Sequence, residues 1–159
     1  MRDKILNKTD LIKDLESGCK PRNLWKIGTE HEKFAYNKSN LKPIDFKKIE
    51  LLFLSLNQKF DWSKIYESGK LIALEKLGNT ITLEPGGQIE LSGSPVYNLF
   101  ETCQQVNAHK YELHSVSEDL NIGYMGIGTL PKWERSDISI MPKSRYDIMR
   151  SHMQKVGSH

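Results

Sequence analysis

A chain of 159 residues is long enough for one compact domain with a real core and too short to argue for two. Its 23 basic and 20 acidic side chains are dispersed, so the net charge of +3 does not amount to a nucleic-acid-binding face. No apolar run approaches the length of a membrane span, and the charge-punctuated opening MRDKILNKTDLIKDLESG holds no signal-peptide core.

The two cysteines, Cys19 and Cys103, fit neither a CxxC redox pair nor a zinc spacing. Free thiols in a reducing compartment follow, and with them the expectation of a cytoplasmic protein.

Thr9 is placed to cap a first helix whose Leu11, Ile12 and Leu15 share one side, with Gly18 positioned to end it in a left-handed conformation. WKIGTEHEKFAY, Trp25 to Tyr36, suits an extended chain. There Trp25, Ile27, Thr29, His31, Lys33 and Ala35 point one way, and Gly28, Glu30, Glu32, Phe34 and Tyr36 the other. Asp45 is the cap expected for a second helix with a buried stripe of Phe46, Ile49, Phe53 and Leu56.

KLIALEKLGNTITLEP reads as a hairpin turning through Leu77, Gly78 and Asn79, the last two suited to positive φ. After Pro95 the longest periodic segment carries Val96, Leu99, Cys103, Val106, Leu113, Val116 and Leu120, which makes Cys103 a packed thiol rather than a nucleophile. NIGYMGIGTLPKW reads as a glycine-dotted strand, and Pro142 stands at the start of a last helix carrying Lys143, Arg145 and Arg150.

The chemistry lies in the acids. Glu30 and Glu32 at i and i+2 of a strand lie roughly 7 Å apart, which is unfavourable unless water, a cation or a basic partner offsets their charge. Magnesium takes carboxylate oxygens together with waters and phosphates, so acids from two neighbouring strands suit a magnesium-nucleotide site, and Glu84 and Glu90 offer a second pair. The alternative is an edge strand whose surface acids pair with lysines, and spacing alone favours it. Pro85, Gly86 and Gly87 between Glu84 and Glu90 leave open whether those two share a face.

Strand alternation turns His31 away from the acids, where a hydrogen-bonded structural role is its default. Ser92 lacks a nucleophile elbow, and GYMGIG is not a dinucleotide fingerprint. Arg145 and Arg150 suit a carboxylate or phosphate clamp, or equally a surface salt bridge.

IGTEHEKFAY, ITLEPGGQIELSGSP, CQQVNAH and MPKSRYDIMRSHMQKVGS, in this order and at these separations, closely resemble the N-terminal part of glutamate-cysteine ligases of the plant and alphaproteobacterial type. The likeness runs over nearly the whole chain. Its members are well over twice as long, so residues 1–159 are expected to be the N-terminal part of a single catalytic domain.

The resemblance implies an α+β fold related to glutamine synthetase, mainly a curved antiparallel sheet with helices on its outer face. It implies ATP-dependent joining of the γ-carboxylate of L-glutamate to the amine of L-cysteine through a γ-glutamyl phosphate, the first step of glutathione synthesis. By the same likeness Glu30, Glu32, Glu84 and Glu90 are magnesium ligands bridging to ATP. Arg145 is the clamp on glutamate or phosphate, and Lys143 and Arg150 are further cofactor-binding candidates. Partners are thus L-glutamate, L-cysteine and ATP with Mg2+, and neither nucleic acid nor membrane. The same motifs are compatible with another carboxylate-amine ligase of this fold or with a non-catalytic nucleotide-binding remnant.

Overall fold

In the computed structural model, residues 7–129 and 132–157 are described. The three tight turns that shape it each have their own chemistry. Strands β2 (Ser63–Glu67) and β3 (Lys70–Lys76) are joined by Ser68 and Gly69, both at positive φ. β3 and β4 (Asn79–Glu84) are joined by Leu77 at φ 52° and Gly78 at φ 77°. Two positive-φ residues give a turn whose twist matches that of the strands.

The expected positive-φ pair Gly78-Asn79 is therefore shifted by one residue, to Leu77-Gly78, and the Leu77 side chain projects into solvent. Asn79 opens β4 and clamps the turn instead: its Nδ2 donates to the Lys76 carbonyl at 3.1 Å, and its Oδ1 accepts the Ser94 N–H at 3.0 Å.

The third turn is Pro85-Gly86-Gly87, with φ 74° at Gly86 and 79° at Gly87, leading into β5 (Gln88–Ser92). Glu84 pairs directly with Gln88 across it, and Thr82 pairs with Glu90. The pairing resolves the parity left open by the sequence: the three-residue connection returns the chain in register, and Glu84 and Glu90 occupy the same face.

β1 (Glu30–Asn37) lies against β5, and β6 (Ile122–Met125) against β1. The result is a six-stranded, wholly antiparallel sheet of order β2-β3-β4-β5-β1-β6. The strand begins at Glu30, so the expected strand start at Trp25 is corrected; among the described residues upstream of Glu30, only Ile27 forms an isolated bridge, to Val96. The last expected strand is likewise cut short to Ile122–Met125, and its Leu130 and Pro131 lie outside the described residues.

Four helices complete the described residues: α1 (Lys8–Ser17), α2 (Phe46–Phe60), α3 (Leu99–Ser117) and α4 (Ser144–Val156). None is long and apolar enough to cross a membrane. Asp45 caps α2 as expected, its carboxylate accepting the Lys48 N–H at 2.9 Å. Asn7 rather than Thr9 caps α1, in a reciprocal box with Asp10, and Gly18 ends it with ordinary negative φ.

α2 buries Ile49, Leu52, Phe53 and Leu56 completely, against Leu71, Leu74, Ile81, Leu83, Ile89 and Leu91 of the sheet. Each such side chain contributes roughly 2 kcal/mol of transfer free energy, which fixes one face of the sheet as the core face. α3 adds Leu113 and Val116 to this core. The expected stripe of α3 holds only in its second half, since Leu99 and Cys103 are exposed. Cys103 is thus a surface thiol and not the packed one expected.

Candidate active site

With Ile81, Leu83, Ile89 and Leu91 committed to the core, alternation sends Thr80, Thr82, Glu84, Gln88, Glu90 and Ser92 to the other face. Register then sets the acids in rows. Across β1, β5 and β4 the rows run Glu30, Ser92, Thr80, then Glu32, Glu90, Thr82, then Phe34, Gln88, Glu84. All four sequence-predicted acids therefore share one face, Glu32 and Glu90 as direct cross-strand partners.

Like charges directly opposite on a sheet repel. Partial desolvation, and after it the charges of Glu90, Glu84 and Glu30, push the Glu32 carboxyl above its ordinary range. Ser92 Oγ donates to Glu90 at 2.7 Å and offsets part of that repulsion.

Glu84 is in a different state. Lys143 Nζ donates to its Oε1 at 3.1 Å, Arg145 Nη2 and the Tyr146 hydroxyl donate to Oε2, and Thr82 Oγ1 donates to Oε1 at 3.1 Å. Burial pushes this carboxyl up, but the hydrogen bond and charge of Lys143, with Arg145 and Thr82, outweigh it and hold Glu84 below the usual carboxylate range.

The cations arrive through the start of α4. Lys143, the N-cap residue, offers no side-chain cap of its own, and the Ser144 N–H is met by Glu67 of β2 at 2.7 Å. Tyr146 is buried, and its single hydroxyl proton is shared between Glu84 and the Leu83 carbonyl at 3.2 Å, which ties the first turn of α4 to the end of β4.

Arg150 is not brought to the acids. It lines a groove of about 570 Å³ between the Pro85-Gly86 turn and α4, together with Arg135, Ile138, Met149 and Met153. Of the predicted basic residues the structure thus unites Lys143 and Arg145 with Glu84, and sets Arg150 apart.

Among the described residues no three His, Cys, Asp or Glu side chains converge as a ready metal cage. A carboxylate cluster under mutual repulsion nonetheless fits a hard cation, because magnesium draws only one or two carboxylates from the protein and takes its remaining oxygens from phosphate and water. Glu30, Glu32 and Glu90 have no ion pair within 4.0 Å among the described residues and are the available donors, whereas Glu84 already holds two cations.

The groups that sequence reasoning missed sit on the core face of β1. Lys33, only 4% exposed, donates to Nε2 of the buried His109 at 2.8 Å and to the His31 carbonyl at 3.0 Å. Alternation placed Lys33 with His31, but nothing in the apolar spacing of α3 marked His109. Burial lowers Lys33 to about 8, and burial together with the Lys33 charge lowers His109 to about 2.

Both shifts disfavour the charged base in the folded state, so the unfolded chain binds more protons in the window below each unfolded value. For His109 stability therefore falls as pH drops below 6.5, by about 2 kcal/mol at pH 5. Urea denaturation between pH 6.5 and 5 is expected to show this slope. His109→Gln, which keeps an amide near the Nε2 position, is expected to flatten it.

The glutamate-cysteine ligase family 2 model matches residues 26–159 of the chain. The chain belongs to this family. It is 51% identical over 153 residues to glutamate-cysteine ligase A, chloroplastic, of Oryza sativa subsp. japonica, a match covering 96% of this chain and 31% of that protein. Glutamate-cysteine ligase, chloroplastic, of Medicago truncatula is 49% identical and that of Arabidopsis thaliana 48%, with 96% of this chain and 30% and 29% of theirs covered. The chain spans less than a third of the length of these family members.

Their names overturn the expected cytoplasmic location, since each is described as chloroplastic and points to a plastid. Free thiols report a reducing compartment but not which one, and that is where the expectation failed.

Proposed function

We propose that this chain is part of a single catalytic domain, related in fold to glutamine synthetase, that joins the γ-carboxylate of L-glutamate to the amine of L-cysteine at the expense of ATP. The observation that carries the reading is the shared face of Glu30, Glu32, Glu84 and Glu90 on three adjacent strands, bounded by the cations of α4. Family membership supplies the reaction class. A plastid setting is taken over from the relatives' names.

In the proposed reaction a γ-carboxylate oxygen of glutamate attacks the terminal phosphorus of ATP and ADP leaves. The cysteine nitrogen then attacks the acyl carbon of the γ-glutamyl phosphate, the C–O bond to phosphate breaks, and the amine gives up a proton. Both steps concentrate negative charge on phosphate oxygens. Magnesium, when bound, supplies positive charge at those oxygens.

Glu30, Glu32 and Glu90 are the residues assigned to hold it. Glu84 acts differently from a simple ligand: it fixes Lys143 and Arg145 at the rim of the acid face. Arg145 is half exposed, and its remaining N–H groups are placed to receive a carboxylate or phosphate. Preorganised cations of this kind stabilise developing charge without reorganising during the reaction. Arg150, on the groove beyond the turn, is assigned a peripheral contact at most.

The test is ADP release by the complete polypeptide carrying this chain, with glutamate and ATP present. Release that requires cysteine is expected. Equal release with and without cysteine would overturn the assignment, and a requirement for a different amine would redirect it to another carboxylate-amine ligase.

A further inference from the structure

The core face of β1 carries an arrangement that the ligase reading leaves unused. A cavity of about 240 Å³ opens between the sheet and α3, on the side of the sheet away from the acids. His31 and Lys33 of β1, Lys110, Leu113 and His114 of α3, and Tyr124 of β6 line it. Its charged and titratable lining is entirely basic, apart from a tyrosine hydroxyl that is bonded to Ser117 at 2.5 Å.

Lys33 is the centre of the argument. Its ammonium is buried, yet no carboxylate lies within 4.0 Å of it among the described residues. Two of its three N–H groups go to neutral acceptors, the His109 ring and the His31 carbonyl. The nearest compensating charges, Glu32 and Glu90, belong to the opposite face. A buried ammonium with neutral partners is costly, and the cost falls when an anion meets it.

His109 accepts from Lys33 at Nε2 and so carries its proton on Nδ1, which is buried without a partner; His31 Nδ1 is also buried without a hydrogen-bond partner. The site is thus short of acceptors.

We propose that this cavity is an anion site, in which a carboxylate or phosphate group accepts the remaining N–H of Lys33, with Lys110 and His114 at the mouth. Its volume, at about 30 Å³ per water, equals roughly eight waters. That admits a phosphate ion or a small mono- or dicarboxylate. The same chemistry has two sources: a free small anion, or an Asp or Glu side chain from the part of the polypeptide that lies beyond the span shared with its longer relatives.

The experiment is a crystal structure of the complete polypeptide grown with and without inorganic phosphate, paired with thermal denaturation of wild type and Lys33→Met. A free-anion site predicts phosphate density on Lys33 Nζ. It also predicts a phosphate-dependent rise in Tm that sodium chloride at equal ionic strength does not reproduce and Lys33→Met abolishes. An internal source predicts an Asp or Glu oxygen within 4 Å of Lys33 Nζ in both crystals and no response to phosphate. Lys33 Nζ with neither a carboxylate nor phosphate beside it, and a Tm indifferent to phosphate, would overturn the proposal. The crystal readout stands even where Lys33→Met fails to fold.

Discussion

Glu32→Gln in the complete polypeptide is expected to lower turnover by about a hundredfold or more while leaving the fold as stable as before, or more so. The two halves of this result have one origin. Glu32 faces Glu90 directly across the β1–β5 pair, and desolvation and the neighbouring acids raise its carboxyl above the ordinary range. A charge held against such repulsion is unfavourable to folding.

Removing the charge relieves the repulsion and removes an oxygen donor from the proposed cation. Losing one electrostatic stabiliser of a transition state commonly costs two to three orders of magnitude in kcat. Steady-state kinetics at saturating magnesium and a urea midpoint measured on the same preparation check both halves. Turnover near wild type, or a loss of turnover matched by a loss of stability, would remove Glu32 from the site.

Glu84 carries the opposite prediction. It is a settled ion-pair partner, partly buried beside the buried Lys143 and bonded by Arg145, Tyr146 and Thr82. Glu84→Leu is expected to destabilise the fold by about 3 to 5 kcal/mol, because it leaves the Lys143 ammonium buried without its carboxylate.

Arg145, half exposed, is free to turn to water and adds little to that figure. The double variant Glu84→Leu with Lys143→Met removes both charges and is expected to recover most of the stability, though not the activity. Denaturant midpoints of the two single variants and the double decide it. Additive losses would mean that the pair is not coupled.

The contrast between these two acids explains what the sequence could and could not deliver. Alternation along TEHE placed Glu30 and Glu32 together correctly, because β1 pairs with β5 in unbroken antiparallel register. The strings around LEPGGQ carried the family. Whether Glu84 and Glu90 share a face depended on the turn, and a Pro-Gly-Gly connection accommodates more than one register until the pairing of Glu84 with Gln88 is known.

That Glu84 is already neutralised by residues about 60 positions away, 59 for Lys143 and 61 for Arg145, is a tertiary fact with no local signal. The same holds for His109, which is buried although the apolar spacing of α3 did not mark it. It holds too for α1, whose apolar residues read as a packing face and are exposed in the structure.

The central claim is that the free acids of this face hold a divalent cation against ATP. The most direct measurement is Mn2+ binding, followed by electron paramagnetic resonance, to the complete polypeptide in the presence of a non-hydrolysable ATP analogue, for wild type and Glu32→Gln. The account predicts nucleotide-dependent Mn2+ binding that the substitution weakens at least tenfold. Mn2+ bound with equal affinity by both proteins would contradict it.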